Sequence, residues 1–87
     1  MKPVSATRAQ EIAQFSAAVR AAGARLAPRA SDAERIRVLA DELGAGAPSV
    51  KKWWYGQNAP RGAAAAILLR EIECIGVEID AAEILEI

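Results

Sequence analysis

The chain contains no histidine and a single cysteine, Cys74. The first absence removes the side chain most often used as general base and metal ligand near neutral pH. The second leaves Cys74 with no imidazole to take its proton and no partner for an internal disulfide. No group of Cys and acidic residues has zinc-site spacing. Glu71 and Glu73 stand two apart, so on a helix they point to different sides and make a poor acid–base pair. An enzyme, a metal centre and a bound cofactor are therefore not expected. Only four residues of 87 are aromatic. No apolar run approaches the roughly 20 residues that cross a bilayer, and Met1-Lys2-Pro3-Val4-Ser5 carries no apolar leader core. With so little cysteine, the expected compartment is the cytoplasm, and the Ala/Arg-rich composition hints at a GC-rich genome, that of a bacterial or phage-infected cell.

What the chain does have is alanine. Apolar residues make up 53% of it, few of them in β-branched runs, which favours helices. Eighty-seven residues are expected to form one domain, 1–87, with a limited core that commonly gains stability from dimerisation. Net charge is zero, yet the charges are segregated. Residues 1–70 hold all eleven Lys and Arg against five acids, a surplus of six, and residues 71–87 hold six acids and no base. A basic body suits phosphate binding, and the acidic end should face away from it. The plainer alternative is a solvated acidic face with no role.

Four helical segments are legible. Thr7-Arg8-Ala9-Gln10 fits a capping box, placing the start of the first helix near Thr7. Ile12, Phe15, Val19 and Ala22 follow as one apolar stripe. Gly23 could end this helix, or it could run to Leu26, before Pro28 stops it. Ser31-Asp32-Ala33-Glu34 is a second capping box, opening a helix to Leu43 with Ile36, Leu39, Ala40 and Leu43 inward. Gly44 suits a left-handed stop. A short third helix begins at Ala47 or Pro48, where proline is favourable. It carries Val50, Trp53 and Trp54 and ends at Gly56. Pro60 opens a fourth, with Ala64, Ala65, Leu68, Ile72 and Ile75 inward and Gly76 at its end. In 77–87, Val77-Glu78-Ile79 alternates like a strand while Asp80 could cap a short helix; both readings stay open.

The segment from Leu39 to Pro60 reads Leu-Ala-x-x-Leu-Gly, five residues, then Val-x-x-Trp-x-x-Gly-x-x-x-Pro, filled by Leu39, Ala40, Leu43, Gly44, Val50, Trp53, Gly56 and Pro60. This pattern resembles the helix-turn-helix of lambda-repressor-like regulators, the Cro and XRE types included. The likeness is close over about 22 residues and loose elsewhere; Gly76-Val77-Glu78-Ile79-Asp80 resembles the glycine-led turn before the family's last helix. It implies an all-α, five-helix DNA-binding domain with its motif at 35–56, the end of the chain being that fifth helix or a short strand. It also implies that base edges are read from the start and outer side of the motif's second helix, here Ala47, Pro48, Ser49, Lys51 and Lys52. Tyr55, Gln57 and Asn58 match positions that touch phosphate or base. The chain departs from the family at Ala47 and Pro48, where Gln, Ser or Thr is frequent; neither residue can make a bidentate bond to a base, although alanine can touch a thymine methyl.

Lys51 and Lys52 are the long donors of this helix, able to reach guanine or phosphate. Trp53 reads as a core anchor between the second, third and fourth helices. Trp54 reads either as packing on the fourth helix or as an indole N–H aimed at phosphate. Arg35 and Arg37 at the start of the second helix, and Arg61 at the start of the fourth, are further phosphate candidates. Arg8, Arg20, Arg25 and Arg29 read as generic surface charge. Gly44-Ala45-Gly46 lacks the strand and lysine–hydroxyl pair of a phosphate loop and reads as a turn.

The expected function is a sequence-specific transcriptional regulator, a homodimeric repressor binding a palindromic operator through the major groove with the helix at 47–55. Val77, Ile79, Ile84, Leu85 and Ile87 are the expected dimerisation residues, in a C-terminal segment 77–87 too apolar to hide within its own small domain. The competing expectations are the antitoxin of a toxin–antitoxin pair, whose partner is a toxin, and a protein-interaction module of the same fold that binds no DNA.

Overall fold

A computed structural model describes residues 4–77 of the chain. Four helices follow in order: α1, Val4–Leu26; α2, Asp32–Leu43; α3, Ala47–Trp54; and α4, Gly62–Cys74. No strand occurs among the described residues, so the all-α expectation holds. The expected fifth helix or strand, with Ile79, Ile84, Leu85 and Ile87, lies outside the described residues.

The first helix organises the rest. At 23 residues it is about 34 Å long, and it packs on α2, α3 and α4, while α2 also touches α3 and α4. Phe15, Val19 and Ala22 form its buried stripe, joined by Ala18. One expectation about α1 needs correcting. The helix begins at Val4, so Thr7 lies inside it instead of capping it; at that depth the N–H groups ahead are already bonded to earlier carbonyls. Of the two ends the sequence left open, the helix takes the later, running through Gly23 to Leu26. Gly23 is there for a close approach: a Cβ on it would stand 2.6 Å from Trp54 Cζ3 and 3.3 Å from Arg35 Cβ.

The next two helices end and begin as their sequences dictate. Ser31 Oγ accepts from the Glu34 N–H at 3.3 Å and starts α2. Gly44, at φ 65°, stops α2 in the left-handed region, and the Ala45 N–H donates back to the Ala40 carbonyl at 3.0 Å. Such a stop satisfies end-of-helix carbonyls and suits a residue without a Cβ. Gly46 precedes α3, and Pro48 sits in its first turn. Eight residues are too few for a self-sustaining helix, so α3 depends on its anchors: Val50 is fully buried, with Trp54 2% and Trp53 9% exposed.

The fourth helix starts at Gly62, two residues later than expected. Pro60 biases Ala59 toward extended backbone, and Ala59 is itself buried as part of the core. The inward face of α4 is also rotated from the expected one. Leu69 and Ile72 are buried, Leu68 and Ile75 pack partly, and Ala64 is exposed. Run together, alanine and leucine show too little contrast to mark a face.

Trp53 meets α1 directly, its ring edge-on to Phe15 with centroids 5.4 Å apart. Trp54 packs on α1: its ring edge enters the Gly23 slot and Arg20 lies 5.8 Å from its ring centre. Its indole nitrogen is buried and bonded to nothing among the described residues, so it does not point toward a phosphate.

Candidate nucleic-acid interface

Successive helix residues turn by about 100°. With Val50, Trp53 and Trp54 inward, Pro48, Lys52 and Tyr55 lie along the opposite line of α3, Lys51 to one side and Ser49 to the other. All five are exposed. The buried arc is narrow enough to leave both lysines outside it. No acid occurs on α3.

The chain after α3 stays on the same surface. Gly56, at φ 67°, ends the helix, and the Gln57 N–H donates to the Lys52 carbonyl at 2.9 Å. That bond folds the loop back onto the last turn of α3. Tyr55 to Asn58 form an exposed run between two buried residues, Trp54 and Ala59, which fixes the loop at both ends. Tyr55 is 48% exposed, a large aromatic left at the surface.

Arg37 on α2 and Arg61 at the start of α4 are exposed, and Arg8–Glu11, at 3.1 Å, is the only ion pair among the described residues. Arg35 is employed differently. Its Nε donates to the Ala27 carbonyl at 2.9 Å and its Nη2 to the Pro28 carbonyl at 2.8 Å, so it ties the α1–α2 connection instead of standing free. Asp41 and Glu42 are exposed near the end of α2, which puts two carboxylates close in sequence to the turn before α3.

The arginines of α1 have a role the sequence reading missed. Arg8 donates to the Ala59 carbonyl as well as to Glu11. Arg20 Nε donates to the Trp54 carbonyl at 2.8 Å, and Ser16 Oγ donates to the same oxygen at 3.0 Å. Arg25 Nε donates to the Ile75 carbonyl at 3.1 Å. Trp54 and Ile75 stand at the C-terminal ends of α3 and α4, where unpaired carbonyls and the helix dipole attract a cation. A clue was present in the spacing: Ile12, Ser16, Arg20 and Gly23 recur at steps of four, four and three, a second stripe beside Phe15–Val19–Ala22. Polar heads there can reach around the buried edge. These bonds subtract from the expected basic surface, leaving Arg29, Arg37, Lys51, Lys52, Arg61 and Arg70 exposed without a bonded carbonyl or carboxylate among the described residues.

Val77 is the one expected dimerisation residue among the described ones, and it is half-buried against the core. No helix among the described residues is long and apolar enough to cross a membrane. No protein-family model, curated protein or solved structure matches this chain.

Proposed function

We propose that the chain is a sequence-specific DNA-binding regulator in which α2 and α3 act as a helix-turn-helix and α3 enters the major groove. The observation that carries this reading is the outer face of α3: exposed, free of acids, bearing Lys51 and Lys52, and seated on three buried anchors. Lys52 lies at the centre of that face and is the base reader. Lys51, Arg37 and Arg61 take phosphates, and Ser49, Tyr55, Gln57 and Asn58 add neutral donors. Arg35, bound to two carbonyls, supports the α1–α2 connection in this scheme. The protein works as a homodimeric repressor on a palindromic operator, with Ile79, Ile84, Leu85 and Ile87 at its two-fold contact, and carries no catalytic chemistry of its own.

Titration of duplex DNA at two salt concentrations tests the reading. Three phosphate cations per protomer give a dimer a log–log salt slope of roughly −5. Selection from a random duplex pool then defines the operator. Binding that is absent, or indifferent to salt, removes the proposal.

A protein-interaction module of the same fold that binds no DNA is the second reading. Asp41 and Glu42 beside the turn, and the lack of base-bonding groups at Ala47 and Pro48, favour it. Capture of a protein partner with no affinity for DNA at low salt is the outcome that selects it.

A further inference from the structure

Two turns of helix cannot hold their own orientation, yet base reading requires one. At the α3 surface, about 5–6 Å from its axis, a roll of 20° displaces a side chain by roughly 2 Å. Functional groups need placing to within about 0.5 Å. Val50 and Trp53 bury the helix but leave such a roll open to the slide of apolar surfaces, since apolar attraction has no preferred direction.

The C-terminal end of α3 carries directional contacts. Its Trp54 carbonyl is held by both Ser16 Oγ and Arg20 Nε, at 3.0 and 2.8 Å. The Trp54 ring lies under the Arg20 guanidinium, 5.8 Å away, with its edge in a slot that a single methyl group on Gly23 would fill. Backbone and ring of one residue are thus both fixed by one line of α1. The geometry points to Arg20, with Ser16 and Gly23, as positioning residues that set the rotation of α3 and so govern sequence discrimination without touching a base. This inference rests on the DNA-binding reading.

The test compares wild-type protein with Arg20→Met and Ser16→Ala, at a temperature where all are folded by circular dichroism. Each is titrated with the selected operator and with a scrambled duplex over a range of salt. Arg20→Met is expected to lower the operator-to-scrambled affinity ratio by tenfold or more, and Ser16→Ala by less. Affinity for the scrambled duplex and its salt slope stay as in wild type, because the phosphate cations remain. An unchanged ratio overturns the inference. So does an equal loss on both duplexes together with a shallower salt slope, which marks Arg20 as a phosphate contact. Amide hydrogen exchange separates the two claims. Faster exchange in α3, with α2 unchanged, is expected in both variants. If wild-type protein ignores DNA, the regulatory reading fails, and the exchange result alone decides whether the latch orients α3; unaltered protection in α3 overturns it.

Discussion

Lys52 and Gly23 set the two demands on this molecule, one facing outward and one inward. Lys52→Ala should weaken operator binding by about 1–3 kcal/mol and relax preference at one base pair; full affinity with an unaltered selected sequence would show that another side chain reads the groove. Gly23→Ala places a methyl group 2.6 Å from the Trp54 ring. Helix propensity alone would favour alanine there by about 1 kcal/mol, but overpacking costs about 1–3 kcal/mol. The net effect should be a lowered denaturant midpoint and a changed Trp fluorescence, whereas a stabilised variant would mean that the ring has room to withdraw. Legibility differs between these residues. Val50 and Trp53 were readable as anchors because apolar spacing marks the inside of a helix. For Arg8, Arg20, Arg25 and Arg35 the carbonyl each meets was not readable: the spacing of Arg20 marks its side of α1, but a long charged side chain carries no sign of its partner. Gly23 was ambiguous for a related reason: the ring that needs its space lies 31 positions away in the sequence.

Among the elements, α3 is the most dependent on its neighbours. Trp53→Ala should cost roughly 3–5 kcal/mol, enough to unfold a domain of this size; a normal melting temperature would contradict the anchoring of α3 on Phe15. Gly44→Ala tests the stop of α2. The left-handed backbone there costs an L-residue about 1–2 kcal/mol, and no atom stands within 4 Å of an added Cβ, so the loss should be backbone strain alone. Gly44→Asn, with the more tolerant asparagine, should recover part of it. Boundaries governed by local chemistry were legible: Ser31, Gly44 and Gly56 each lie where their caps require. The starts of α1 and α4 were not. Thr7 lies inside α1, so its box marks no boundary, and Pro60 is held out of α4 by the burial of its neighbour Ala59, a tertiary fact.

At the scale of the molecule, the all-α architecture followed from composition, whereas the packing of every other helix on α1 did not, because no periodicity within one helix names its partner. Assembly is where the C-terminal segment can be tested. Val77 packs on the core and Gly76, at φ 103°, lies under Arg25, so the informative truncation follows Val77 and spares the four described helices. That truncated chain should sediment as a monomer, keep α1–α4 folded and bind a half-site weakly; a persistent dimer would move the interface to another face. The arginine bonds of α1 also bear on how the protein is made. Arg8, Arg20 and Arg25 meet carbonyls 51, 34 and 50 residues further on. At synthesis rates of about 5–20 residues per second, α1 emerges roughly 2–10 seconds before the last of these partners exists. Early in that interval, before α2 follows, it can form only as a solitary helix, its alanines favouring the conformation and its arginines keeping it in solution while Phe15 and Val19 are bare. Closure is complete only when α3 and α4 arrive to meet a surface already in place.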